Sequence, residues 1–145
     1  MKLKLGSLFV VGVVIAGLCG CSHGPDAQTV AMNKVLSSLD LGRISKIVCD
    51  YTYEPGFNPD GNPHQRTIDL AGTGHRAEAI ERLKKAGFTV TDDLDGHARL
   101  SGPGGMKASV VPSDPDRAGT DIRYDSKYTC SVPAEGMTGV TLTLK

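Results

Sequence analysis

Apolar spacing changes several times along the chain, and each change marks an element. Val30, Met32, Val35, Leu36 and Leu39 recur near helical spacing behind Asp26, which predicts a first helix capped by Asp26 and stopped at Gly42. From Ile44 the period drops to two: Ile47, Cys49, Tyr51 and Tyr53 alternate with polar residues, as in a half-buried strand. Glu54 to Gln65 holds Pro-Gly, Asn-Pro and Asp-Gly pairs and reads as a loop. A short strand follows from Arg66 to Ala71. The second helix is the sharpest element, His75 to Ala86, with Ala79, Ile80, Leu83 and Ala86 as its buried stripe and Gly87 behind it. Glu78 with Arg82 and Glu81 with Lys85 stand four apart in the favourable order.

The remainder alternates almost throughout. Phe88 to Thr91 and His97 to Leu100 flank an Asp95-Gly96 hairpin signal. Gly102-Pro103-Gly104-Gly105 reverses the chain into a strand from Met106 to Val111, and a Pro/Asp loop runs from Pro112 to Gly119. Ile122, Tyr124, Tyr128, Cys130 and Val132 then share one face of a long strand, and Val140, Leu142 and Leu144 form a last one. Helix, strand, loop, helix and about five strands joined by turns predict a single α+β domain over residues 26–145. Its sheet is expected to be mainly antiparallel, with about five to six strands and two helices, and not doubly wound.

Residues 1–20 obey another logic. Lys2 and Lys4 precede an apolar run from Leu5 to Leu18 that ends in small residues, which is a secretory signal pattern. The run is shorter than the ~20 residues a membrane-crossing helix needs. Leu18-Cys19-Gly20-Cys21 resembles the lipobox of bacterial lipoproteins, with Leu three residues before Cys21 and Gly directly before it. The resemblance covers residues 1–21 and implies cleavage before Cys21, acylation of its thiol, and a membrane partner reached through that anchor. Two or three acyl chains suffice for stable anchoring. Residues 21–25 then form a tether, and the protein is expected on the extracytoplasmic side of a cell membrane, or at an outer membrane if the host has one.

Cysteine usage follows from that address. With Cys19 removed and Cys21 acylated, Cys49 and Cys130 remain, and in an oxidising compartment such a pair is expected to form a disulfide. It closes a loop of ~80 residues. If the two cysteine strands pair antiparallel with Cys49 opposite Cys130, Tyr51 falls opposite Tyr128 and Ile47 opposite Val132. All four tyrosines lie on these segments, either as a core layer with hydroxyls at the rim or as an aromatic ligand face.

Charge and composition narrow the function by exclusion. The chain carries 16 basic and 16 acidic residues, and 14 basic against 16 acidic after loss of the signal, which argues against nucleic acid as a partner. Gly72-Thr73-Gly74-His75-Arg76-Ala77 matches a dinucleotide fingerprint on paper, with Asp92 and Asp93 about 20 residues on. Only one βαβ unit is possible, so no cofactor is expected. The narrower reading is an anion held by Gly74, His75 and Arg76. Asn58, Asp60 and Asn62 alternate like calcium ligands, but Pro63 stands where an EF-hand loop needs Gly, and the four histidines lack ligand spacing, so no metal is assigned. No nucleophile with a base and an orienting group emerges, and no catalytic residue is assigned. The leading expectation is a lipid-anchored, non-catalytic binding module with an envelope protein partner, with an inhibitor or immunity type as one subclass, using the loops 54–65 and 112–119. The alternative is a small envelope hydrolase with a dispersed active site.

Overall fold

A computed structural model describes residues 26–55 and 61–145 of the chain; residues 1–25 and 56–60, which include Cys21, the lipobox, the anchor and His23, lie outside the described residues. The Asp26 carboxylate accepts from the Gln28 N–H at 2.9 Å and opens helix α1, Ala27–Leu39. The helix ends on Asp40, whose left-handed backbone (φ 48°) takes the stop role expected of Gly42; Gly42 lies inside the following 3-10 turn, Leu41–Arg43. Val30, expected in the buried stripe, is 50% exposed, because Thr29, Met32, Leu36 and Leu39 form the face that packs.

Strands β1, Ile47–Tyr53, and β2, His64–Ala71, pair antiparallel. Helix α2, Arg76–Lys85, follows, and then β3, Thr89–Leu94, and β4, His97–Ser101, joined by Asp95 (φ 52°) and Gly96 (φ 79°). Two positive φ values in succession are what this tight hairpin demands, and Asp-Gly supplies them. Strand β5, Lys107–Pro112, precedes a small hairpin of β6, Asp121–Arg123, and β7, Thr129–Ser131, and β8, Met137–Leu144, completes the set. The main sheet has six antiparallel strands in the order β1-β2-β8-β5-β4-β3. This is the α+β architecture with two helices that the periodicities predict.

Both helices lie on one face of that sheet. Ile68 and Leu70 of β2, Val140 and Leu142 of β8, and Val110 and Leu100 of the next strands join Met32, Leu36, Ile80 and Leu83 of the helices in one core. Arg82 of α2 ties the helices together by donating to the carbonyls of Leu39 and Asp40 at 2.9 and 2.6 Å while pairing with Glu78 at 2.9 Å. Glu81 pairs with Lys84, one residue before the expected Lys85.

Two expectations about the tyrosine segments need correction. The long strand expected around residues 122–132 is broken into β6 and β7, because the Asp125 carboxylate accepts from the N–H groups of Lys127 and Tyr128 and turns the chain there. The cysteine strands also share no ladder: β1 pairs only with β2, and β7 pairs with β6. The Cys49–Cys130 disulfide does form, across a Cα separation of 6.1 Å, and joins the edge of the main sheet to the small hairpin. Tyr51 meets Tyr128, with ring centroids 5.4 Å apart, whereas Ile47 is 43% exposed and Val132 is buried.

Candidate functional site

Alternation along β2 and β8 sends every second residue to the face without helices. Register places Thr67 opposite Thr141 and Asp69 opposite Gly139, so this face is polar where the other is apolar. The hydroxyls of Thr67 and Thr141 lie 3.0 Å apart, and Gln65 Nε2 donates to Thr67 at 3.3 Å. The β6–β7 hairpin and the segment before it fold over part of this face as a flap. Between flap and sheet is an open cleft of ≈ 450 Å³, floored by Thr67, Asp69, Gly139 and Thr141 and walled by Ser113, Arg117, Ile122 and Tyr124. A smaller hollow of ≈ 240 Å³ adjoins it across Thr141, with Lys107, Ser109 and Thr143 among its lining.

The chemistry concentrates at Asp69. It is 2% exposed, and the Tyr124 hydroxyl donates to its Oδ2. Its Oδ1 has no hydrogen-bond donor among the described residues and lies above Gly139, where an added methyl group would approach it to 2.9 Å. Gly139 therefore leaves the space that Oδ1 occupies beside β8. Burial pushes the Asp69 carboxyl above its ordinary pKa, and the Tyr124 hydrogen bond opposes that push in part. Burial, then the hydrogen bond to Asp69, raises the Tyr124 phenol in turn.

Three tyrosines fix the flap above this point. Tyr124 stacks on Tyr51 with centroids 4.9 Å apart, Tyr128 lies 5.9 Å from Tyr124, and the Tyr128 hydroxyl accepts from the Asp50 N–H at 3.0 Å. Tyr51 is buried beneath the flap, outside the core cluster under the helices, and Tyr124 lines the cleft. Tyr53 is exposed and stands outside it.

The other residues singled out from sequence are scattered. Gly74 is exposed at the entry to α2, His75 is the N-cap residue without a side-chain capping bond, and Arg76 donates to the Gly96 carbonyl at 2.7 Å while pairing with Asp93. An anion there would compete with Asp93 for the guanidinium. His64 is buried, with Nε2 3.6 Å from Asp26 Oδ2, and only His97 of the described histidines reaches the cleft. Of the two loops expected to form the interaction surface, Gln65 and the stretch 112–114 with Arg117 line the cleft, while Asn58 and Asp60 fall outside the described residues.

Asp69, Thr67, Thr141, Tyr124 and Arg117 were not singled out by motif. The available signal was an acid at an alternating position of a strand, Asp69 between Ile68 and Leu70, which places a charge on the sheet face opposite a core. Compared with protein-family models, curated proteins and solved structures, the chain matches none.

Proposed function

We propose that this protein is a lipid-anchored, non-catalytic binding module of the bacterial cell envelope, and that the cleft between the main sheet and the flap is its binding site. One observation carries the second part: a carboxylate at the floor of an open cleft, with Tyr124 on one oxygen and no donor from the described residues on the other, is penalised by burial and is relieved by a ligand that donates to it. The disulfide supports the first part, because cross-links of this kind persist in exported proteins. The lipobox at Cys21 supplies the anchor. Among the described residues no helix is long and apolar enough to cross a membrane, so on this reading attachment rests on the acylated cysteine.

Photoreactive side chains installed in the full-length protein test the site. His97 is on the cleft and exposed; Val30 is exposed on the helix side of the sheet. Adducts recovered from intact cells at position 97 and not at position 30 are expected, and adducts confined to position 30, or none at either, overturn the assignment. Mass spectrometry of the N-terminal peptide tests the anchor: an acylated Cys21 is expected, and a chain that begins at Met1 overturns it.

A further inference from the structure

We infer that the cleft takes a small amino-carboxylate zwitterion, its ammonium seated on Asp69 Oδ1 and its carboxylate at Arg117, an inference that rests on the cleft being the binding site. Asp69 defines the first end. Its Oδ2 is engaged by Tyr124, and its Oδ1 lies in the space above Gly139, with the Thr67 and Thr141 hydroxyls on the next pair of the same sheet face, two register positions away. An ammonium group carries three donors and no acceptor, so one carboxylate oxygen with hydroxyl oxygens nearby is a complementary set. A carboxylate ligand placed there would meet Asp69 as a like charge.

Arg117 defines the other end. It stands on the 3-10 turn Pro115–Arg117 of the flap and lines the same cleft. It is exposed, and its guanidinium has no ion-pair partner among the described residues, whereas Arg43, Arg66, Arg76, Arg82 and Arg99 each have one and Arg123, also without an ion pair, donates to the carbonyls of Asp125 and Ser126. Asp114 lines the cleft beside Arg117, with Oδ1 accepting from the Asp116 N–H at 3.0 Å, and forms no ion pair with Arg117. A planar fork of donors is matched by a carboxylate. A simple cation would leave Arg117 unanswered and a simple anion would leave Asp69 unanswered; one ligand with both charges satisfies the two together. The volume of ≈ 450 Å³ also leaves room for a substituent between or beside the charged groups.

The test uses the full-length, isotope-labelled protein in detergent micelles, titrated with β-alanine and with its two halves, ethylammonium and propionate, and read by amide shifts of residues on the cleft. β-Alanine is expected to bind most tightly and propionate least. Asp69→Asn, which keeps an acceptor for Tyr124, should weaken β-alanine and ethylammonium by at least about tenfold. Arg117→Gln should weaken β-alanine and not ethylammonium, a split that general damage to the fold would not give. Gly139→Ala crowds Oδ1 without altering the carboxylate and should reproduce the ethylammonium loss if Asp69→Asn folds poorly. Unchanged binding in Asp69→Asn, equal losses of both probes in Arg117→Gln, propionate binding as well as ethylammonium, or no cleft shift with any probe overturns the inference. Whether the cleft is a site at all is decided separately by the adducts at position 97, so the two failures are distinguishable.

Discussion

On the helix-covered face, β8 presents Val140 and Leu142, both fully buried; on the opposite face the same strand presents Gly139, Thr141 and Thr143. The first set is held by non-directional burial, which scales with the apolar area removed from water. The second is held by directed contacts: a hydroxyl pair, a phenol on a carboxylate, and a disulfide that pins the flap. A single strand thus serves stability on one side and recognition on the other. Substitutions on the two faces should therefore differ in the size of their effect and in what they change.

The largest expected effect tests the covalent part of the contrast. Replacing Cys49 and Cys130 together with Ser should cost about 4 kcal/mol in denaturant unfolding, by the chain-entropy argument for a loop of this length. Hydrogen exchange should rise in β6 and β7 before it rises in β2 or β8; uniform loss of protection would show that the flap is no separate unit. Leu142→Ala comes next, at roughly 2–5 kcal/mol, since its side chain is fully buried in the core. Gly102→Ala should cost about 1–3 kcal/mol, because the added methyl group would come within 2.3 Å of the Phe88 ring and force it to move.

The polar face should respond to pH more than to volume. Folding raises the Asp69 pKa, so its contribution is fully present below the unfolded value of about 4 and is lost as pH rises through the folded value. Asn does not titrate, so the melting temperature of Asp69→Asn relative to the parent should climb as pH rises through that window. A constant difference from acid to neutral pH would mean that the carboxylate is not strained by burial. Thr143→Ala, on the smaller hollow, should lie within about 0.5 kcal/mol of the parent. A larger cost would show the polar face to be a second core.

The helices, the α+β class and the disulfide were legible because each has a local or compositional signal: Asp26 before an apolar stripe, Gly87 behind one, Asp95-Gly96 between alternating runs, and two cysteines outside the lipobox-like segment. Strand partners were not legible. An antiparallel pairing of β1 with β7 aligns the cysteines and two tyrosines, yet that alignment is equally satisfied by a disulfide between two different sheets. The break between β6 and β7 was hidden because Tyr124 and Tyr128 suggest strand while Asp125, by capping two backbone groups, makes a turn. The cleft escaped notice for a related reason: Asp69 and Arg117 are 48 positions apart and belong together only once the flap has folded back.

One further consequence follows from the place of β8. The strand latest in chain order is third in the sheet, hydrogen-bonded to β2 on one side and β5 on the other. A polypeptide emerging amino end first, from a ribosome or through a translocation channel, therefore holds two hairpin-based fragments, β1 with β2 and β3 to β5, with nothing to zip them together. The keystone arrives last. Such an order delays cooperative folding of the sheet until nearly the whole domain is out.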